Sequence, residues 1–283
     1  MYIEVAKAKI NLGLRVLGKR ADGYHEVDML MQSIELADQL TFVRDSQLTL
    51  QLDNQQLQAD PQENLIIKAA RVLAAHTGFK GGAKITLQKR IPIAAGLAGG
   101  SSDAAATLRG LNRLWQTGLT MRELENLATQ IGSDVAFCVQ GGTQRATGRG
   151  EILQPLAPLP KMNLVVFKPN FGVSTQKVYQ AFNLQKVTRK VDIGQLITAV
   201  QTAKIEEIIA SMGNDLESVT LALHPEIGLI KRTMLDWGAS YALMSGSGPT
   251  VFAVVDNLAI ARKIVEELPK EHLGDSYLTS TCS

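Results

Sequence analysis

The sequence predicts an α+β fold in about two domains. Three observations carry that expectation. At 283 residues the chain exceeds the roughly 150 residues of one ordinary domain. Strand patterns and helix patterns intermingle along it without the strict alternation of a doubly wound sheet. Pro155, Pro158 and Pro160 crowd one short stretch, so 154–161 reads as the linker. The expected domains are 1–156 and 157–283.

The elements follow from periodicity. Residues 2–17 alternate and then run apolar (Ile3, Val5, Ala8, Ile10, Leu12, Leu14, Val16), a strand pattern. Gly18 to Gly23 lacks a bulky apolar side chain and reads as a turn. Residues 24–35 are compatible with strand, and 39–52 read as two strands, with Leu48, Leu50 and Leu52 alternating against Thr49 and Gln51. Residues 63–76 have helical spacing with Gly78 as a stop. Residues 83–89 are a strand, and a strong helix runs from about Ser101 to Trp115. Helices are expected near 120–131 and 134–139, strand with turns over 141–153, and a buried strand over 162–168. In the second half, helical patterns fall near 174–183, 191–200, 203–212 and 226–237. A hairpin pairs 239–244 with 250–255 around Ser245-Gly246-Ser247-Gly248-Pro249, and a last helix covers about 257–267.

Composition narrows the function classes. The balance of 29 Lys plus Arg against 27 Asp plus Glu leaves a net charge of +2, too small for an electrostatic nucleic-acid binder. No apolar stretch reaches the roughly 18 residues of a membrane helix, and the N-terminal Glu4, Lys7 and Lys9 do not fit a secretory signal. Two cysteines, Cys138 and Cys282, make no disulfide framework, so a cytoplasmic protein is expected. Cys138 lies in an apolar run and reads as a buried small hydrophobe. His25, His76, His224 and His272 are not spaced for a metal site, and His76 reads as a surface residue.

The one skew is in glycine position. Of 24 glycines, ten lie within 96–150, where an even spread would give about five. The densest part is Ile91-Pro92-Ile93-Ala94-Ala95-Gly96-Leu97-Ala98-Gly99-Gly100-Ser101-Ser102-Asp103, between a strand and an alanine-rich helix. Small residues let a backbone approach a ligand, Ser101 and Ser102 can cap the helix, and exposed N–H groups at a helix start favour an anion, usually phosphate. The plain alternative is a loop with a helix cap. The phosphate loop with a lysine after its second glycine does not fit, since no lysine follows Gly100, and neither does the dinucleotide glycine fingerprint.

From Pro92 through Gly96-Leu97, Gly99-Gly100-Ser101-Ser102 and Asp103-Ala104-Ala105, the segment resembles the phosphate-binding motif of the GHMP kinases. Ala95 and Ala98 stand where many members have glycine, which implies that neither needs a positive φ. Ala8-Lys9-Ile10-Asn11-Leu12, Arg20-Ala21-Asp22-Gly23-Tyr24-His25, Asn64-Leu65, Ile131-Gly132-Ser133-Asp134-Val135, Gly172-Val173-Ser174-Thr175 and Met244 to Ala253 extend the likeness over nearly the whole chain. Asp22-Gly23-Tyr24-His25 is similar to the branch whose alcohol substrate carries a CDP moiety. The resemblance implies a two-domain GHMP kinase fold. Its N-terminal domain, 1–156, is ribosomal-protein-S5-like and binds ATP, its C-terminal α/β domain, 157–283, binds substrate, and the active site lies in the cleft between them.

The same resemblance implies roles. A kinase must hold a triphosphate, neutralise charge on the transferring group and orient a hydroxyl. Pro92, Ile93, Ala94, Ala95, Gly96, Leu97, Ala98, Gly99, Gly100, Ser101 and Ser102 would hold the nucleotide, with Asn64 on its adenine side. Lys9 and Asp134 would be catalytic, Asp134 accepting the proton of the substrate's C2 hydroxyl and Lys9 keeping it ionised. Read without the family, Lys9 is a strand-edge lysine in solvent, Asp134 a carboxylate at a helix start, and Asn64 a helix start. Tyr24 and His25 would recognise cytosine by stacking and by a hydrogen bond at its edge, with Tyr179 as a second aromatic face. The residues alone also fit a turn closed by Asp22-Gly23. Asn11 and Thr175 would be polar contacts to substrate, and Gly246 and Ser247 would bring a tight turn to it, the plain alternative being a hairpin turn. Mg²⁺ is expected with ATP. Its protein ligand is left unnamed, Ser102 being all the motif offers. The implied partner is a small molecule, with no nucleic acid or membrane, and the implied state is a monomer or weak homodimer.

Overall fold

A computed structural model describes residues 1–53, 64–187 and 190–282. The chain packs into two compact units that interleave along the sequence. Unit 1 holds Met1–Ala8, Leu36–Ile93 and Ala98–Gly141, and unit 2 holds Lys9–Glu35, Ala94–Leu97 and Gly142–Ser283. The interleaving arises because two long strands, β1 (Tyr2–Lys19) and β2 (His25–Asp45), contribute to both. The expected segments 1–156 and 157–283 meet at the proline-rich stretch 154–161 and are a division along the sequence.

In unit 1, β4 (Gly82–Gln88) lies between β3 (Leu48–Leu52), to which it is parallel, and β2, to which it is antiparallel with Gln39 opposite Gln88. Four helices complete the unit: α1 (Leu65–Thr77), α2 (Gly99–Trp115), α3 (Met121–Ala128) and α4 (Ser133–Gln140). α1 starts where Asn64 Oδ1 accepts from Ile66 N and stops at a left-handed Gly78, the residue type that tolerates such a stop. α3 begins with a reciprocal capping box between Thr120 and Glu123. α2 buries Ala104, Ala105, Ala106, Leu108 and Leu111. Gly110 sits on the same helix because a Cβ there would stand 2.6 Å from Cδ2 and 2.8 Å from Cζ of the buried Phe42. Arg44 donates to the carbonyl of Leu114 at 3.0 Å, satisfying the open C-terminal end of α2. Arg109 links three segments, with Nε on Glu4 at 2.9 Å, Nη1 on the Cys138 carbonyl at 2.8 Å and Nη2 on the Val5 carbonyl at 3.0 Å.

A buried ion cluster fixes both flanks of the glycine-rich stretch within unit 1. Lys89 follows β4 and donates to Asp38 and, at 2.7 Å, to Asp103 on α2. Asp38 Oδ1 also accepts from the backbone of Ile91 at 2.8 Å. Two carboxylates against one ammonium leave a surplus negative charge inside the protein, which is costly. Burial, reinforced by Asp38 and opposed by Lys89, lifts Asp103 to about 7. Burial works against the Lys89 charge, but Asp103 and Asp38 together outweigh it and raise the Lys89 pKa.

Unit 2 carries the rest of β1 and β2. β5 (Thr143–Gly148) pairs antiparallel with β2, Val27 opposite Gly148, and with β6 (Ile152–Pro155). A short β8 (Gly213–Asn214) pairs parallel with Gly13–Leu14 of β1. A second sheet, in the order β11-β7-β10-β9, is antiparallel throughout and built from β7 (Asn163–Pro169), β9 (Tyr241–Met244), β10 (Val251–Val254) and β11 (Gly274–Ser280). Its central strands are buried on both faces, so β10 reads as the continuous apolar run Val251-Phe252-Ala253-Val254. The helices are α5 (Thr175–Ala181), α6 (Ile193–Thr202), α7 (Ile205–Ser211), α8 (Glu217–Leu223), α9 (Pro225–Asp236) and α10 (Leu258–Glu271).

Several expectations change. The turn read from Gly18 begins later, because β1 runs to Lys19 and only Arg20 to Tyr24 turn, closed by Arg20 N on the Tyr24 carbonyl at 2.8 Å. The strand read at 24–35 and the first of the two strands read within 39–52 are one strand, His25–Asp45. Glu63, the first residue of the expected helix 63–76, lies outside the described residues. β8, β11 and α8 have no counterpart in the sequence reading. β11 mixes exposed and half-buried residues, which erases the alternation a strand call relies on. Cys138 is half-buried rather than enclosed, with Sγ 3.2 Å from Ser102 Oγ. Among the described residues no helix is long and apolar enough to cross a membrane.

Two outcomes test this packing. Gly110→Ala gains up to about 1 kcal/mol of helix preference but overlaps a buried ring at a cost of roughly 1–3 kcal/mol. The expected net is a destabilisation near 1 kcal/mol, read as a lower urea midpoint with unchanged slope. The Asp103 carboxyl has a folded value above its unfolded one, so its stabilising contribution is complete below about pH 4 and is lost as pH rises through about 7. Urea titrations from pH 4 to 7.5 should show the Asp103→Asn variant with a flatter decline than the parent chain, the difference not exceeding about 1.4 kcal/mol per pH unit.

Candidate active site

The glycine-rich stretch divides between the units, Ala94–Leu97 belonging to unit 2 and its flanks to unit 1. In unit 1, α2 begins at Gly99, and its N-cap is Ala98 with φ 56°. That overturns two expectations. Ala98 does adopt a positive φ, at a cost near 1–2 kcal/mol for a residue with a Cβ, whereas Ala95 does not. Ser101 and Ser102 do not cap the helix, because they already lie inside its first turns and no side chain caps it. Ser102 is 1% exposed and its hydroxyl is held by the Lys7 carbonyl at 2.5 Å. An enclosed oxygen of this kind does not fit a metal ligand. The N–H groups at the start of α2 come from Gly99 and Gly100, half-buried and exposed, and a Cβ at Gly100 would meet nothing nearer than Leu65 Cδ1 at 3.6 Å. An exposed helix start without side chains suits a phosphate. Pro92 and Ile93 precede it in the same unit, Ile93 being 58% exposed.

Asp134 is half-buried in the first turn of α4, so the plain reading of a helix-start carboxylate describes its place, and the helix dipole stabilises its charge there. Asn64 likewise caps α1 through its Oδ1. That use leaves its Nδ2 as the group able to meet a ligand.

In unit 2, Lys9 is 5% exposed, which overturns the reading of a solvated strand-edge lysine. Its Nζ donates to Asn11 Oδ1 at 2.8 Å, two residues along and therefore on the same strand face. Asn11 is fully buried and its Nδ2 reaches Met29 Sδ at 3.4 Å. Lys9 N donates to the Leu97 carbonyl at 3.1 Å, so the segment Ala94–Leu97 is tied to β1 by backbone. Gly96 has φ 72° and passes so close to the turn after β9 that a Cβ would lie 2.7 Å from the Ser245 carbonyl oxygen. Ser245 Oγ donates back to the Gly96 carbonyl at 3.2 Å. Gly246 follows at φ 59°, its Cβ position 3.7 Å from Asn11 Oδ1. Ser247 Oγ lies 2.7 Å from Thr175 Oγ1 at the start of α5. The structure therefore brings Lys9, Asn11, Gly96, Gly246, Ser247 and Thr175 into one connected set.

An aromatic group stands elsewhere in unit 2. The His25 ring lies 5.1 Å from that of Tyr179, tilted by 38°, and 6.3 Å from that of Phe182, edge on. Burial first, and the Lys19 charge second, lower the His25 pKa, so a neutral imidazole with one donor and one acceptor is favoured near pH 7. Tyr24 is 60% exposed and packs under Arg149, whose Cζ is 5.1 Å from its ring centroid. Arg20 closes the turn with Asp22 at 3.1 Å and with Glu26. The turn is thus present as read, and His25 and Tyr179 stand together while Tyr24 packs with Arg149 instead. Phe182 escaped the sequence reading, and it reaches His25 from the extended residue that ends α5. Asn214 and Thr220, which hold the turn at 244–248, also escaped it. They sit in β8 and α8, elements without a periodic signature.

The chain matches the family models described as GHMP kinases N terminal domain over residues 64–142 and GHMP kinases C terminal over residues 196–274. It is 48% identical over 267 residues to a 4-diphosphocytidyl-2-C-methyl-D-erythritol kinase of Bacillus velezensis, covering 94% of this chain and 92% of the relative. It is 48% identical to the kinase of the same name from Pelotomaculum thermopropionicum, covering 92% and 91%. A crystal structure of 4-(cytidine 5'-diphospho)-2C-methyl-D-erythritol kinase superposes with a TM-score of 0.85 at 34% identity, over 100% of both chains. The fold, the motif-bearing segments and these likenesses agree, and the chain belongs to the GHMP kinase family.

Proposed function

We propose that this kinase phosphorylates the C2 hydroxyl of 4-diphosphocytidyl-2-C-methyl-D-erythritol with ATP, in isoprenoid precursor biosynthesis by the non-mevalonate route. The observation that carries the substrate is the near-full-length identity to kinases of that name, together with the His25–Tyr179–Phe182 aromatic group. Cytosine is a flat ring with donors and acceptors on its edge, and an aromatic face beside a neutral imidazole is chemistry that recognises it.

Nucleotide binding is assigned to Asn64 and to the stretch 92–102, chiefly through the N–H groups of Gly99 and Gly100 at the start of α2. Bound ATP supplies the phosphoryl group, and Mg²⁺ supplies charge neutralisation. Among the described residues no cluster of three His, Cys, Asp or Glu is present, and no protein ligand is assigned to the ion. Asp134 accepts the proton of the C2 hydroxyl as its oxygen bonds to phosphorus and the bond to ADP breaks, directly and without a phosphoenzyme. The buried Lys9 ammonium, aimed by Asn11, provides fixed positive charge where negative charge develops. Asn11, Thr175, Gly246 and Ser247 orient the alcohol, and Tyr24, His25 and Tyr179 hold the CDP end. In this assignment residues 1–156 supply the ATP-binding part and 157–283 the substrate-binding part, with Asn11, Tyr24 and His25 crossing that division. The enzyme is expected to act in the cytoplasm on a small molecule, as a monomer or weak homodimer, without nucleic acid or membrane.

Two kinetic outcomes test the assignment. Asp134→Asn should lower kcat by about 10²–10⁴-fold with little change in either KM, as loss of a general base does. Steady-state ADP release measures it, and near-normal kcat removes Asp134 from the mechanism. Tyr179→Ala should raise KM for the CDP-linked alcohol by roughly tenfold, the loss of one stacked face, and leave KM for ATP unchanged. A panel of alcohols in the same assay identifies the substrate. Turnover of homoserine or mevalonate, with none of the CDP-linked alcohol, would overturn the reading.

A further inference from the structure

Asn214 is 7% exposed and uses its whole amide. Nδ2 donates to the Met244 carbonyl at 2.8 Å and to the Gly246 carbonyl at 2.7 Å, while Oδ1 accepts from Leu216 N at 3.0 Å. Its backbone is paired in register with Leu14 of β1, the strand that carries Lys9 and Asn11. One residue therefore joins that strand to the turn after β9. The turn in turn is seated on Gly96 and beside Asn11, by the Ser245 and Gly246 approaches already described. Thr220 adds a second hold, its Oγ1 donating to the Ser247 carbonyl at 3.3 Å. Glu217 adds a third, its Oε1 accepting from Met244 N at 2.9 Å and from Lys231 at 2.6 Å.

We infer that Asn214, seconded by Thr220, is a positioning residue for the phosphoryl-transfer reaction: it fixes the Ser245–Gly248 turn against Gly96 and Asn11, and so sets where the alcohol lies relative to Lys9. The inference rests on the proposed roles of Lys9, Asn11, Gly246 and Ser247. The physical basis is that a buried carbonyl needs a donor. The amide of Asn214 satisfies two carbonyls on either side of Ser245, so the turn has one low-energy setting. Removing both donors frees that setting, and a displacement of the order of 1 Å at a reacting centre is enough to cost about 10²-fold in rate.

The test uses the full-length enzyme with two variants. Asn214→Asp keeps the side chain's shape but turns an acceptor toward two carbonyls, and Thr220→Val keeps shape and removes one hydroxyl. Circular dichroism and thermal midpoints are recorded beside initial rates with ATP and with the CDP-linked alcohol. The expected result is a fall in kcat of about 10²-fold for Asn214→Asp and about three- to tenfold for Thr220→Val. KM for the alcohol should rise while KM for ATP stays within about threefold. A merely structural role would lower the midpoint and leave kcat and both KM values of the folded enzyme unchanged, and that result overturns the inference. Should Asn214→Asp fail to fold, Thr220→Val decides alone, and wild-type kinetics in it overturns the inference. Lys9→Met run in parallel separates the two levels. If it keeps its kcat, the underlying assignment of Lys9 fails. If it loses kcat while Asn214→Asp and Thr220→Val keep theirs, only the positioning role fails.

Discussion

A lysine held inside a β-strand is the constraint around which unit 2 is organised. Lys9 is almost wholly buried, and an ammonium removed from water must be met by polar groups. Asn11, on the same strand face, meets it. Because Asn11 is itself fully buried, whatever packs against it must come close without bulk. Gly246 does so, and Gly96 makes room for the same turn. The carbonyls of that turn are then held by Asn214 and Thr220. Each step follows from the one before by the same rule, that a buried polar group needs a partner.

Unit 1 solves a different problem with the same means. The helix start proposed to receive a phosphate is bare, since α2 opens on Gly99 and Gly100. Bare backbone is also loose backbone. The flanks are therefore fixed from below, by Asp38 on the Ile91 amide and by Lys89 reaching from the end of β4 to Asp103 on α2. Ser102 does not cap the helix but donates its hydroxyl to the Lys7 carbonyl, tying α2 to β1. The left-handed Ala98 is the cost of that entry angle, offset by the packing of the alanine face behind it.

Much of this was legible in the sequence. Helices with an apolar face and a clear stop, such as Leu65–Thr77 before Gly78, were located almost to the residue. So were β7 and the β9–β10 hairpin, whose runs are apolar and bounded by turn residues. Elements stabilised from outside themselves were not. β8 is defined by its pairing with β1, α8 by what it packs on, and β11 by its register with β7. The site shows the same split. The motif residues stand in the chain as letters in a fixed order, so Lys9, Asp134, Gly96, Gly99 and Gly100 could be singled out. Phe182, Asn214, Lys89 and Asp38 could not, because their significance lies in which distant atoms they touch.

The sequence alone determined the class of fold, the positions of most periodic elements, and a glycine-dense stretch ahead of a helix made of small residues. These depend on local rules of periodicity, capping and side-chain size. The tertiary structure decided that Lys9 is buried rather than solvated, that Ala98 is left-handed, that Ser101 and Ser102 lie within α2 rather than capping it, and that Asn214 holds the turn at 244–248. Those outcomes depend on burial and on partners far away in the chain. The free energy of a charge, a hydroxyl or an amide is set by what surrounds it, and a linear sequence does not say what that is.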